Sequence, residues 1–176
     1  MELWTVLYTD QLYQKAKTFF LRQGRSDFLR KSPLSLCGRY VIHQAFSQRG
    51  FAQFIPEDGN FQCGTYFFST AHSGNQIFLA IATQKIAIDM EQLVEREKSL
   101  LQPPFTSWEA FYVQWCVKEC LVKFLSLTFL EEALEQTVIV PEELGEEGMS
   151  VVIRYQGTPY TAKVKKEKGY LFAVMV

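Results

Sequence analysis

An α+β fold made of two similar lobes facing each other is what this sequence predicts. The chain has 176 residues, the length of one domain or of two small halves sharing a core. A strand, then helix, then several strands occur in that order once in each half, although no strict sequence repeat is present. The last third is a run of short strands separated by turns. The division falls between an N-terminal lobe, 1–84, and a C-terminal lobe, 85–176, packed as one compact unit.

Each element has its own signal. Residues 3–8 are aromatic and β-branched enough for a strand. Residues 11–21 have helical spacing, with Leu12, Ala16, Phe19 and Phe20 available to one face. The stretch 22–32 is basic (Arg22, Arg25, Arg30, Lys31), and Pro33 limits what can precede it. A second helix covers 34–46, with Leu36, Tyr40, Val41 and Ala45 or Phe46 toward the core. Residues 50–64 are loop-rich, with Pro56, Asp58, Gly59 and Asn60 among aromatic anchors. Strands at 66–69 and 77–82 flank a Ser-Gly-Asn turn at 73–75.

A third strand in this region, 85–91, reads K-I-A-I-D-M-E. A short helical piece at 95–101 is stopped by Pro103 and Pro104. Thr106 or Ser107 can cap a long helix running to about 127, and Glu109 suits its positive end. Strands follow at 137–140, 150–155, 160–165 and 170–176, with the acidic run 142–147 as a solvated loop.

Composition removes several functions. Hydrophobic residues at 48% and charged residues at 21% exclude a disordered or collagen-like chain. Eighteen Lys+Arg against 19 Asp+Glu leave a net charge of −1, too small a field to argue for nucleic acid or an acidic membrane surface. Cys37, Cys63, Cys116 and Cys120 form no C-x-x-C pair, and with only two histidines they exclude a zinc finger. Small buried thiols in a reducing compartment are expected. Residues 1–10 lack the pattern of a signal peptide. The longest apolar run, 77–82, is far short of the ~20 residues that span a membrane. The expectation is a cytoplasmic protein, with no membrane or nucleic-acid partner, and a monomer as the simpler state.

Three places could carry chemistry. Asp89 and Glu91 are two apart on a strand and so share one face, a concentrated negative spot that water, a cation or a basic neighbour must compensate. Magnesium suits such oxygens, although two solvated acids at an exposed strand end are the commoner arrangement. On the helix, W-C-V-K-E-C-L-V-K sets Trp115, Glu119 and Lys123 along one stripe. Glu119 is there either a further metal ligand or half of a surface ion pair with Lys123, and Lys118, off the stripe, either a solvated charge or a phosphate contact. Trp108, Phe111, Tyr112 and Trp115 read as core packing. In S-T-A-H-S-G, 69–74, His72 could be a phosphate donor, a general base or a hydrogen-bonded loop residue. A serine hydrolase is rejected, because His72 and Ser73 are adjacent and no G-x-S-x-G occurs.

H-S-G, then a strand ending I-D-M-E, then a helix with W-x-x-K-E-x-x-x-K, resembles the 4′-phosphopantetheinyl transferase superfamily, in its longer, monomeric two-lobe class. The stretch L-C-G-R-Y, 36–40, resembles the L-x-G-R helix of those longer members. The likeness covers about 32–126 at motif level. It implies coenzyme A in a cleft between the lobes, with magnesium joining its diphosphate to Asp89, Glu91 and Glu119. A serine hydroxyl of an apo acyl- or peptidyl-carrier protein, of fatty-acid, polyketide or nonribosomal-peptide synthesis, then attacks the β-phosphate and adenosine 3′,5′-bisphosphate leaves. Glu119 is implied as base, Lys123 and Lys118 as phosphate contacts. His72, Arg39 and Arg30 or Lys31 are implied at the 3′-phosphate and adenosine end.

The family's N-x-S-H-S is here Ser69-Thr70-Ala71-His72-Ser73, the usual glycine before I-D is Ala87, and no G-K-P precedes the H-S turn between 50 and 66. Thirty positions separate Asp89 from Glu119, a short interval for the two-lobe class. Two other functions compete with the transferase. One is a non-catalytic relative that binds coenzyme A or a carrier protein; the other is an unrelated α+β domain whose acids and lysines are surface charges. If the three carboxylates converge without a cation, their repulsion makes Asp89→Asn stabilising.

Overall fold

Alternation shapes the first strand of the chain. In β1 (Glu2–Leu7), Trp4 and Val6 pack on a buried core that includes Phe46, Phe68, Leu79 and Ile81, while Leu3 and Leu7 face outward and stay exposed. The structure, a computed structural model, describes residues 1–59, 61–94, 105–127 and 148–176. It divides into two compact units, Met1–Thr83 and Gln84–Val176.

In the first unit, β1 leads into α1 (Asp10–Arg22), a 3-10 turn (Ser26–Arg30) and α2 (Pro33–Ser47). The strands β2 (Gln62–Cys63), β3 (Tyr66–Ser73) and β4 (Gln76–Ala82) follow. Thr9 caps α1, its hydroxyl accepting from the Leu12 N–H at 3.1 Å, and the helix buries Ala16 and Phe20. Ser32 caps α2 by accepting from the Ser35 N–H at 3.2 Å, with Pro33 at the first helical position, where its missing N–H costs nothing. The four strands form an antiparallel sheet in the order β1-β4-β3-β2.

Gly38 lies on the buried face of α2, and a methyl group added there would meet Ile77 Cγ2 at 3.8 Å, an ordinary contact. Alanine also loses less backbone freedom on folding than glycine. Gly38→Ala is therefore expected to stabilise the protein by about 0.5–1 kcal/mol. Urea unfolding followed by circular dichroism checks this, and a lower midpoint would contradict it.

The second unit repeats the plan with one long helix. It contains β5 (Ala87–Gln92), α3 (Trp108–Leu125), β6 (Met149–Tyr155), β7 (Thr158–Glu167) and β8 (Tyr170–Met175). Its antiparallel sheet has the order β5-β8-β7-β6. Among the described strands of each unit, the first pairs with the last and the second lies at the far edge. The protein is thus two similar α+β lobes. Ser107, not Thr106, caps α3, accepting from the Ala110 N–H at 3.1 Å. Val113, Cys116, Val117, Cys120 and Leu121 of α3 pack on Ala87, Val151, Ile153, Val164 and Leu171 of the sheet.

Three local expectations need correction. The strand read as 66–69 continues to Ser73, because Ser69 to Ser73 pair in register with Ala80 to Gln76 of β4. The reversal is confined to Gly74, at φ 58°, and Asn75. Polar side chains hid that strand, since a ladder needs only backbone groups. The basic stretch forms the 3-10 turn around buried Phe28, and the loop-rich stretch contains β2. The helix expected at 95–101, the strand at 137–140 and the acidic loop at 142–147 lie outside the described residues. Among the described residues, no helix is long and apolar enough to cross a membrane.

Candidate functional site

Strand β5 sets the site. Ala87, Asp89 and Glu91 share one face, and Ala87 belongs to the core beneath α3, so both carboxylates are on the α3 side of the sheet. Asp89 is only 7% exposed, which removes the reading of an ordinary solvated strand end for this residue. Glu91 is half-buried.

The counter-charge comes from the last turn of α3. Lys123 Nζ donates to Asp89 Oδ1 at 2.7 Å and to the Ile88 carbonyl at 3.1 Å. Burial lowers the Lys123 ammonium, but the groups around it, Asp89 foremost, together outweigh this and leave it above the usual range. Lys123 therefore reaches across to β5 and pairs with Asp89 rather than with Glu119 on its own helix. The repulsion that would make Asp89→Asn stabilising is answered by this ammonium. The second carboxylate oxygen, Asp89 Oδ2, is buried with no hydrogen-bond partner.

The two cysteines of α3 line the same helix face. Cys120 Sγ donates to the Ala173 carbonyl at 3.1 Å and lies 3.8 Å from that of Ala87, tying α3 over β8 and β5. Burial, then the Asp89 charge, pushes the Cys116 and Cys120 thiols well above their ordinary range, so neither is an activated nucleophile. All four cysteines are free and buried. Burial also pushes Cys37 up to about 11. Of the helix aromatics, Tyr112 is buried and donates its hydroxyl to the Val94 carbonyl at 3.3 Å. Trp108 and Phe111 pack against the core, and Trp115 stacks on Phe111.

Glu119 stands one turn before Lys123. Burial raises its carboxyl above the usual range; Lys123 pulls it down, while Asp89 and Glu91 push it further up. Lys118, also half-buried, is lowered by burial. A carboxyl raised in the folded state is a liability once ionised: the protein loses stability as pH rises through that titration, and the loss is absent below the unfolded-state value. Glu119→Gln should thus melt higher than the parent at neutral pH, and the gap should close as the buffer falls below the ordinary glutamate range. A gap that stays constant from pH 7 to pH 4 would contradict this.

Among the described residues, no three His, Cys, Asp or Glu side chains stand together as a ready metal site. The chemistry of Asp89 still suits magnesium, as a hard carboxylate with one buried oxygen that lacks a hydrogen-bond partner. Magnesium keeps most of its water and is commonly held by one or two carboxylates plus substrate phosphates.

The remaining candidates belong to the first unit. Arg39, on α2, donates from Nη1 to the Pro56 carbonyl at 3.1 Å and pairs through Nη2 with Asp58, while its Nε is buried without a partner. Lys31 takes the other oxygen of Asp58 at 2.7 Å, and the two cations, Lys31 first, hold that carboxyl below its usual range. The guanidinium groups of Arg25 and Arg39 lie 3.9 and 4.8 Å from the centroid of the Phe28 ring. Arg30 is exposed at the end of the 3-10 turn. His72 is an exposed residue of β3 opposite Ile77, not a turn residue.

Asp58 and the Ile88 carbonyl are the partners that sequence reasoning missed. Asp58 joins cations 19 and 27 positions away, and a carbonyl leaves no trace in residue type. The other histidine, His43, is a core residue. Its Nδ1 is 2.9 Å from the Phe54 carbonyl, which can only accept, so the proton is on Nδ1, and Nε2 faces the Ser47 hydroxyl at 3.2 Å.

No protein-family model matches the chain, and no curated protein matches it.

Proposed function

We propose that this protein transfers the 4′-phosphopantetheine arm of coenzyme A to a serine of an apo acyl- or peptidyl-carrier protein. The observation that supports this best is the Lys123–Asp89 bond of 2.7 Å. It joins the two segments that carry the resemblance, I-D-M-E and W-C-V-K-E-C-L-V-K, which are remote in sequence. Random surface charges have no reason to meet in a buried place.

In this proposal Asp89, Glu91 and Glu119 hold magnesium, which when bound neutralises the diphosphate oxygens of coenzyme A. The carrier serine oxygen forms the new bond to the β-phosphorus, and the bond to the departing adenosine 3′,5′-bisphosphate breaks. Glu119 accepts the serine proton, directly or through water. Lys123 and Lys118 supply positive charge to phosphate oxygens. Arg39 and His72, with Arg30 or Lys31, are proposed for the 3′-phosphate.

Intact mass of an apo carrier protein after incubation with this chain, coenzyme A and magnesium tests the reading. The expected result is a gain of one phosphopantetheine that disappears in Glu119→Gln. Carrier binding without a mass gain would instead support the non-catalytic relative. Neither binding nor mass gain would reduce the acids and lysines to structural charges.

A further inference from the structure

We propose that Lys123 is a resident counter-ion of Asp89 which must leave that carboxylate when a divalent cation binds, moving to the phosphates of coenzyme A, so that cation and coenzyme A bind as a coupled pair. The inference rests on the transferase reading and adds to it an order of events that the motifs do not contain.

The geometry is that of an occupied site. Two of the three Nζ donors are engaged by β5, one by Asp89 Oδ1 and one by the Ile88 carbonyl. Asp89 is nine-tenths buried, and its Oδ2 still has no partner. A carboxylate buried for structural reasons alone normally has both oxygens satisfied. Here one oxygen has no partner of normal hydrogen-bond geometry, and the thiol of Cys116 beside the carboxylate is only a weak donor. A cation recruited to that oxygen stands beside an ammonium bonded to the other, and like charges repel strongly where water is largely excluded. The conflict ends if Lys123 exchanges the carboxylate for a phosphate, an equally strong charge-assisted partner. Lysine suits the exchange, as a point charge on a flexible stem, better than the planar fork of arginine. Because coupling is reciprocal, coenzyme A strengthens cation binding by the factor by which the cation strengthens coenzyme A binding.

Titration calorimetry of the full chain with Mn²⁺ alone, then with coenzyme A present, tests this. Wild type should bind Mn²⁺ at least tenfold more tightly with coenzyme A. Lys123→Met should bind Mn²⁺ alone at least tenfold more tightly than wild type and gain less from coenzyme A. Equal Mn²⁺ affinity in wild type and Lys123→Met, with coenzyme A still bound, overturns the counter-ion role and leaves the transferase reading standing. Binding of neither Mn²⁺ nor coenzyme A to any variant overturns both. Should Lys123→Met fail to fold, the ¹⁵N ammonium resonance of Lys123 in wild type decides: it should shift when Mg²⁺ and coenzyme A are added together. A resonance unchanged in that mixture overturns the proposal.

Discussion

Asp89→Ala is expected to abolish the proposed phosphopantetheinyl transfer and to lower stability by about 3 kcal/mol, because it strands a largely buried ammonium. Lys123 is 20% exposed, so water relieves only part of that charge. Urea unfolding and carrier-protein mass together read the two effects. The double variant Asp89→Ala/Lys123→Met should recover much of the stability, since partners in one ion pair are not additive. It should recover none of the transfer. Restored transfer in the double variant would show that Asp89 serves structure alone.

Phe46→Ala should be the most destabilising core substitution in the first unit, by about 4 kcal/mol. Phe46 is fully buried, and four aromatic rings surround it edge-on: Phe54 at 5.2 Å, Phe68 at 5.3 Å, Phe51 at 6.2 Å and Tyr66 at 6.3 Å. Truncation removes the burial of one ring and opens a void between α2, β3 and the loop, where rigid rings cannot collapse to fill it. Phe46→Leu, which keeps most of the volume, should cost roughly 1–2 kcal/mol. Peptide-level hydrogen exchange should show lost protection in α2, β3 and β4. A cost for Phe46→Ala below that of Phe46→Leu would contradict this packing.

The candidate site was legible where spacing dictates direction. Alternation placed Asp89 and Glu91 on one face of β5, and four-residue spacing placed Glu119 and Lys123 on one stripe of α3; both follow from backbone geometry that every strand and helix obeys. The partner of Lys123 was not legible. Within α3, Glu119 at the preceding turn was the natural candidate, and choosing Asp89 requires knowing that the helix lies across β5. Asp58 was hidden for the same reason, and the length of β3 because its outer half has polar side chains.

By itself the sequence determined the local order: a strand, helical segments and strands in each half, two candidate caps for α3, and the apolar faces that had to be covered. Only tertiary structure decided strand order, with first strand against last in both sheets, and the pairing of charges across elements. The physical reason is range. Helix and strand periods are set by covalent geometry a few residues long, whereas the fate of a buried charge depends on which remote group arrives to neutralise it, and that is fixed by how a helix packs on its sheet.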